Sequence, residues 1–216
     1  MPFDKKAIAK AIEEMKKSSK KREFKQSIDL VLNLMDMDMK KPESRINELV
    51  ELPYPPKKDV KVVVFATGDL AVRAKNAGAD GVFGKEDLDR LVNDKKRAKK
   101  LAKETDFFIA EAALMPLVGR VLGPSLGPRG KMPTPTTPTA VIGDVITRHR
   151  KIIRVKVRDQ LNSQCSVGTE DMASDLVAEN VQAVITRLEG KLPKGLKNVR
   201  NAYVKTTMGS LAKIEL

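Results

Sequence analysis

Few residues in this chain are placed to do covalent chemistry. His149 and Cys165 are its lone histidine and lone cysteine, so no zinc site of His and Cys and no Cys/His nucleophile pair can be assembled, and a Ser/His/Asp triad has only His149 to build on. The run GRVLGPSLGPRGKMP at 119–133 approaches a phosphate-cradling loop and misses it. Ser125 stands where the first glycine belongs, Met132 follows Lys131 in place of a magnesium-binding hydroxyl, and Pro124 and Pro128 remove backbone donors. The strand and turn from Val64 to Asp69 lack the three spaced glycines of a dinucleotide fingerprint. These patterns predict no catalytic residue, no metal and no cofactor. His149 reads as a surface residue near a helix end, and Cys165 as a small core hydrophobe.

Binding chemistry remains. The stretch YVKTTMGS at 203–210 sets Thr206, Thr207, Met208 and Gly209 at the end of a strand, where short polar groups and bare backbone can approach ribose hydroxyls and phosphates closely. The same residues also fit an ordinary exposed strand end. The turn KKREFK at 20–25 offers Arg22 and Lys25 to phosphates, and Phe24 either covers a base or packs in the core. Net charge favours the nucleic-acid reading: 41 Lys and Arg against 28 Asp and Glu leave +13 on 216 residues, the footprint of a protein that lives beside a polyanion. An anionic membrane is the competitor, but the most basic helical stretch, Asp94 to Lys103, offers only Leu101 and alanines as apolar anchors. The longest apolar run, Val62 to Ala66, is far too short to cross a bilayer. The amino end lacks the apolar core of a secretory signal, and one cysteine forms no internal disulfide, so the expected location is the cytoplasm.

The elements that must position these residues follow from periodicity. Asp4 to Lys20 repeats apolar residues at helical spacing, and Phe24 to Leu34 alternates through Ile28, Leu30, Leu32 and Leu34 as a half-buried strand. Three prolines at 53, 55 and 56 read as a linker. Beyond it come strand 60–66, helix 69–77, strand 80–83, one long charged helix 86–104, strand 106–110 and helix 113–122. A Gly/Pro-rich loop at 123–138 follows, then a helix capped by Thr139 and running through Arg150. Strands alternating with helices predict an open α/β sheet. After Arg150, Ile153, Val155 and Val157 alternate with Arg154, Lys156 and Arg158, a strand with a basic open face on which Arg158 is a candidate RNA contact. A shorter strand at 164–167, a long helix capped by Thr169 or Asp171 and ended by Gly190, and a final strand at 199–208 complete the chain. Both ends together predict one discontinuous domain, 1–57 with 151–216, into which an open α/β domain, 60–149, is inserted, with a hinge at about 53–59 and 149–152. Charge does not choose between them: residues 60–149 hold 15 basic and 10 acidic groups, leaving 26 and 18 for the ends.

Four separated motifs, KREFKQSIDLVLNL at 21–34, GRVLGPSLGPRGKMPTP at 119–135, SVGT at 166–169 and TTMGS at 206–210, resemble in order the archaeal form of the large-subunit ribosomal protein L-one family, and the likeness covers nearly the whole chain. The resemblance implies a split α/β domain with a Rossmann-like domain inserted in it. It implies a protein, monomeric when free, that binds large-subunit rRNA to build the mobile lateral stalk and accompanies release of deacylated tRNA from the exit site. It further implies repression of translation through the protein's own operon mRNA. Carried across by motif, Phe24, Ser27, Ser166, Val167, Gly168 and Thr206 to Gly209 form the RNA surface. Two departures stand out: Gln164 occupies the place of a histidine in other branches, and Ser210 follows Gly209 where many members have Pro-Ser. The rival readings are a small-molecule transferase or nucleotide-binding enzyme using the inserted domain, and a non-specific chaperone or nucleic-acid coat.

Overall fold

The computed structural model describes residues 4–20, 22–38, 46–56, 60–157 and 160–215. Lys21, residues 57–59 of the expected hinge, and Arg158 therefore lie outside the described residues. The chain divides into two compact units, residues 1–58 with 151–216, and residues 59–150.

In the first unit, α1 (Lys5–Ser18) is capped by Asp4, whose carboxylate accepts the Lys6 amide, and buries Ile8, Ala11, Ile12 and Met15. The strand β1 (Ser27–Leu34) alternates as its sequence predicts, with Ile28, Leu30, Leu32 and Leu34 inward. It lies between β8 (Asn162–Thr169) and β9 (Val199–Thr206), both antiparallel to it, and β10 (Leu211–Ile214) adds to the far side of β9. A separate antiparallel ribbon joins β2 (Ile46–Glu51) to β7 (Ile152–Val157). The helices α1 and α7 (Ser174–Glu189) close one core with these strands. In the middle of α7, Asn180 is fully buried; its amide donates to Tyr54 O and to Val167 O at 2.8 Å, and its carbonyl accepts the Tyr54 amide at 3.0 Å.

The second unit has a parallel sheet in the order β4 (Gly81–Phe83), β3 (Val62–Phe65), β5 (Phe107–Glu111), β6 (Thr134–Thr136). Every residue of β3 is buried, as expected for a strand covered on both faces. Its helices are α2 (Gly68–Asn76), α3 (Lys85–Asn93), α4 (Lys95–Glu104), α5 (Met115–Leu126) and α6 (Ile142–Lys151). Val63, Phe65, Phe108 and Ala110 pack against Leu88, Leu91, Ala98, Ala102, Val118, Leu122 and Leu126, with Phe65 stacked on Phe108 at 5.8 Å.

Several expectations are corrected here. The charged helix breaks in two at Asp94, whose carboxylate leaves the helical path to accept the Arg97 amide at 2.9 Å and so caps α4. Helix α5 runs through Pro124 to Leu126, because Val118, Leu122 and Leu126 continue one buried stripe whose packing outweighs the proline's lost bond in the last turn. The loop after it contains β6. Thr139 caps nothing; its hydroxyl faces that of Thr137, and α6 begins three residues later. Thr169 ends β8 and Asp171 pairs with Lys25, so α7 starts at Ser174 without a side-chain cap. His149 is buried, with Nδ1 bonded to Val145 O at 2.7 Å, so Nε2 accepts from Thr134 Oγ1 at 3.2 Å.

Candidate nucleic-acid interface

One edge of the first unit gathers the exit of α1, the start of β1, the end of β8 and the turn between β9 and β10. Gln26 is the residue that ties them. It is 1% exposed, and its two amide hydrogens are shared among Ser19 Oγ at 3.3 Å, Lys20 O at 3.2 Å and Glu170 Oε2 at 3.2 Å. Its carbonyl accepts the Met208 amide at 3.2 Å, and its backbone carbonyl accepts the Glu170 amide at 3.0 Å. One buried side chain thus fixes four segments, and a buried amide left without these partners would be costly.

The turn itself is locked from both sides. Ser27 donates its amide to Thr207 Oγ1 at 3.1 Å, and Thr207 returns its amide to Ser27 O at 3.1 Å. Beneath it the hydroxyls of Ser19 and Thr206 bond at 3.0 Å, and those of Ser18 and Ser210 at 2.9 Å. Gly209 is required by space: a Cβ there would fall inside the van der Waals envelope of Thr206 Oγ1. At Gly168 a Cβ would stand 3.0 Å from Val177 Cγ2 and 3.3 Å from Met172 Sδ. Beside it the register slips: Ile28 faces Gly168 and Asp29 faces Ser166, so Val167 is an extra residue in β8, a bulge that bends the strand's end.

The residues singled out in the sequence divide into two rows. Outward stand Arg22, Phe24 at 50% exposure, Lys25, Thr207 and Met208 at 62%, with Ser27, Ser166 and Gly209 half-buried. Inward lie Val167, Gly168 and Thr206, which shape this surface from beneath. Exposed Phe24 and Met208 are large apolar side chains held on a rigid polar frame, the combination that stacks on bases and excludes water beside ribose. Local charge is positive, with Lys16, Lys20, Arg22 and Lys25 facing Glu170 and Asp171. Lys25 pairs with Asp171 at 2.9 Å, and the resulting hydrogen bond raises its pKa; Lys16 donates to Met172 O, and burial lowers its pKa. Lys16, Lys20, Glu170 and Asp171 line a cleft of about 250 Å³ with Ser19 and Thr206. The two departures from the family pattern have local partners: Gln164 donates to Asp29 Oδ2 at 3.2 Å, and Ser210 meets Ser18.

Sequence reasoning missed Gln26, Ser18, Ser19 and Glu170. A signal for Gln26 was present, since it shares the parity of Ile28, Leu30, Leu32 and Leu34: a polar residue on the inward face of β1 must find partners there. At the carboxyl ends of the parallel strands in the second unit, where a small-molecule pocket would open, the Glu111 carboxylate accepts both the amide and the hydroxyl of Thr67, at 3.1 and 2.9 Å.

Residues 5–210 match the family model described as Ribosomal protein L1p/L10e family. Among curated relatives, the large ribosomal subunit protein uL1 of Methanocella arvoryzae is 47% identical over 209 residues, covering 97% of this chain and 98% of that protein. The uL1 of Archaeoglobus fulgidus is 45% identical over 214 residues, 99% of this chain and all of that one. The uL1 of Thermofilum pendens is 47% identical over 210 residues, 96% and 92% of the two chains.

Proposed function

This chain belongs to the Ribosomal protein L1p/L10e family, and from that premise we propose that it is a structural constituent of the large ribosomal subunit that binds large-subunit rRNA through the face built on Gln26, Ser27, Thr207 and Met208. The family is one of ribosomal proteins and not of enzymes, which sets aside the transferase and nucleotide-binding readings. The work is binding, and its place is the cytoplasmic ribosome.

The observation that carries this reading is the outward pair Phe24 and Met208 on a frame whose backbone amides and hydroxyls are already bonded to one another. A preformed surface binds RNA without the entropic penalty of ordering itself, so shape supplies selectivity. Lysines and arginines around it supply attraction that weakens with salt, each phosphate neutralised contributing roughly 0.7 to 0.9 to the slope of log affinity against log salt. The same face would take an operon mRNA folded to the same shape, and repression of the protein's own translation follows from that competition. In the same reading the crossings near residues 53–59 and 149–152 act as the hinge of a mobile stalk, past which deacylated tRNA leaves the exit site.

The test is a titration of the full chain with large-subunit rRNA and with operon mRNA at two salt concentrations, each challenged by unrelated structured RNA. Displacement by the two cognate RNAs and not by the third supports the reading. Equal displacement by all three makes the protein a non-specific coat and refutes it.

A further inference from the structure

The surplus charge of the second unit sits in one place. Residues 59–150 hold 16 Lys and Arg against 11 Asp and Glu, a surplus of five. Helix α4 alone carries Lys95, Lys96, Arg97, Lys99, Lys100 and Lys103 against Glu104, the same surplus of five. The rest of the unit is therefore neutral. Ala98 and Ala102 anchor the inward face of α4, Leu101 is partly buried on the same core, and all six cations are exposed.

This arrangement works against the helix that bears it. Lys95, Lys96 and Arg97 fill the first turn, the positive end of the macrodipole, where no acidic residue offsets them within the helix. Lys95 and Lys99, Lys96 and Lys100, and Lys99 and Lys103 are like charges one turn apart, against the attractive contact of Lys100 with Glu104 at 3.9 Å. Asp94 caps the helix from outside. Packing requires only the two alanines and Leu101, so six mutually repelling cations mark a surface selected for a polyanion. Lys96 and Lys100 stand about 6 Å apart along the axis, close to the separation of successive phosphates on a nucleic-acid strand. With Arg97 they line a shallow cleft of about 550 Å³, completed by Asp94, Leu101 and Glu104.

We propose that α4 is a second RNA surface, separate from the face around Thr207 and Met208, and that it holds the phosphate backbone of duplex RNA without reading sequence. That the polyanion is RNA rests on the ribosomal reading above. No bulky apolar side chain of α4 is exposed among the cations, so the helix lacks the anchors that a membrane surface needs.

The experiment uses the full chain with Lys96, Arg97, Lys99 and Lys100 all replaced by Gln, titrated with a short RNA duplex of arbitrary sequence across a salt series. Its slope of log affinity against log salt should fall by roughly 2 to 3, and its low-salt affinity by about tenfold or more. Replacing exposed Lys75 and Lys85 of the same unit should change neither, and Met208→Ala should leave duplex binding intact. Relief of repulsion should hold the melting temperature of the fourfold variant at or above the parent's. If that variant fails to fold, the pairs K96Q/R97Q and K99Q/K100Q carry the test with about half the slope change each. An unchanged slope overturns the proposal, as does loss of binding to phosphatidylserine vesicles with duplex binding intact. Unchanged rRNA affinity in Met208→Ala, together with the reduced slope of the fourfold variant, would overturn the face around Thr207 and Met208 and leave α4 standing.

Discussion

Ser27 and Thr207 hold each other by two reciprocal hydrogen bonds, amide to hydroxyl and amide to carbonyl, each 3.1 Å long, and the Thr207 hydroxyl donates to Ser27 O at 3.4 Å. Because Thr207 is exposed, water can replace part of what its hydroxyl supplies. Thr207→Ala should therefore lose only about 0.5–1.5 kcal/mol in urea unfolding. Its rRNA affinity should fall further than that, with an unchanged salt slope, because no charge is removed. Thr207→Ser keeps the hydroxyl and should restore most of both.

Gln26 is the buried counterpart of that pair. In Gln26→Leu the Met208 amide and the Lys20 carbonyl lose their partner, and the unfolding free energy should drop by about 1–3 kcal/mol. Amide exchange at Met208 and Glu170 should accelerate well beyond what global destabilisation explains. Unaltered exchange at Met208 would show that the turn is held by other bonds.

Gly209 admits no side chain at its present spacing, and Gly168 admits one only if Val177 or Met172 gives by a few tenths of an ångström. Gly209→Ala must push Thr206 off Ser19 and should cost about 1–3 kcal/mol by denaturant midpoint, whereas Gly168→Ala need only shift Val177 or Met172 slightly and should cost less. Gly84, with nothing near its Cβ position and extended backbone, is the control and should change stability little on substitution by Ala.

Burial, reinforced by the Asp29 carboxylate, pushes the Cys165 thiol up to about 12 from its ordinary value of 9.0. The folded chain keeps a proton that the unfolded chain releases above about pH 8.5. The associated stability is complete below that pH and is lost progressively as pH rises toward 12. Cys165→Ala should flatten the alkaline decline of the unfolding free energy relative to the parent. At pH 8 a thiol reagent should label Cys165 only at the rate at which the first unit opens; immediate labelling would contradict its burial.

Periodicity located α1, β1, β7 and α7, because each buries one regular stripe against a single core. The mixed α/β class was legible for the same reason. The pattern failed where tertiary contact outvotes local preference. In β2, INELVE buries Ile46 and Val50 on one strand face, but polar Glu48 lies between them on that face and apolar Leu49 on the other, so the alternation is masked and pairing with β7 makes it a strand. Pro124 reads as a breaker, but Leu126 beyond it is buried on the same stripe as Val118 and Leu122, and the helix continues. The hairpin to β10 hides behind Gly209, which reads as the end of a strand and is in fact its turn. At the candidate interface the motifs marked the outward residues, whereas the buried polar frame of Ser19, Gln26 and Glu170 depends on segments more than a hundred residues apart meeting in space.

In the proposed function a rigid face around Thr207 and Met208 recognises large-subunit rRNA by fit, with the surrounding cations adding attraction that does not depend on Met208. The most direct measurement is the affinity of the full chain for that rRNA, parent against Met208→Ala, across a salt series. Met208 is exposed and touches little of the fold, so its loss should leave stability within about 0.5 kcal/mol. Met208→Ala should give at least a tenfold weaker complex with a parallel salt slope. An unchanged affinity, or a loss confined to low salt, would contradict it.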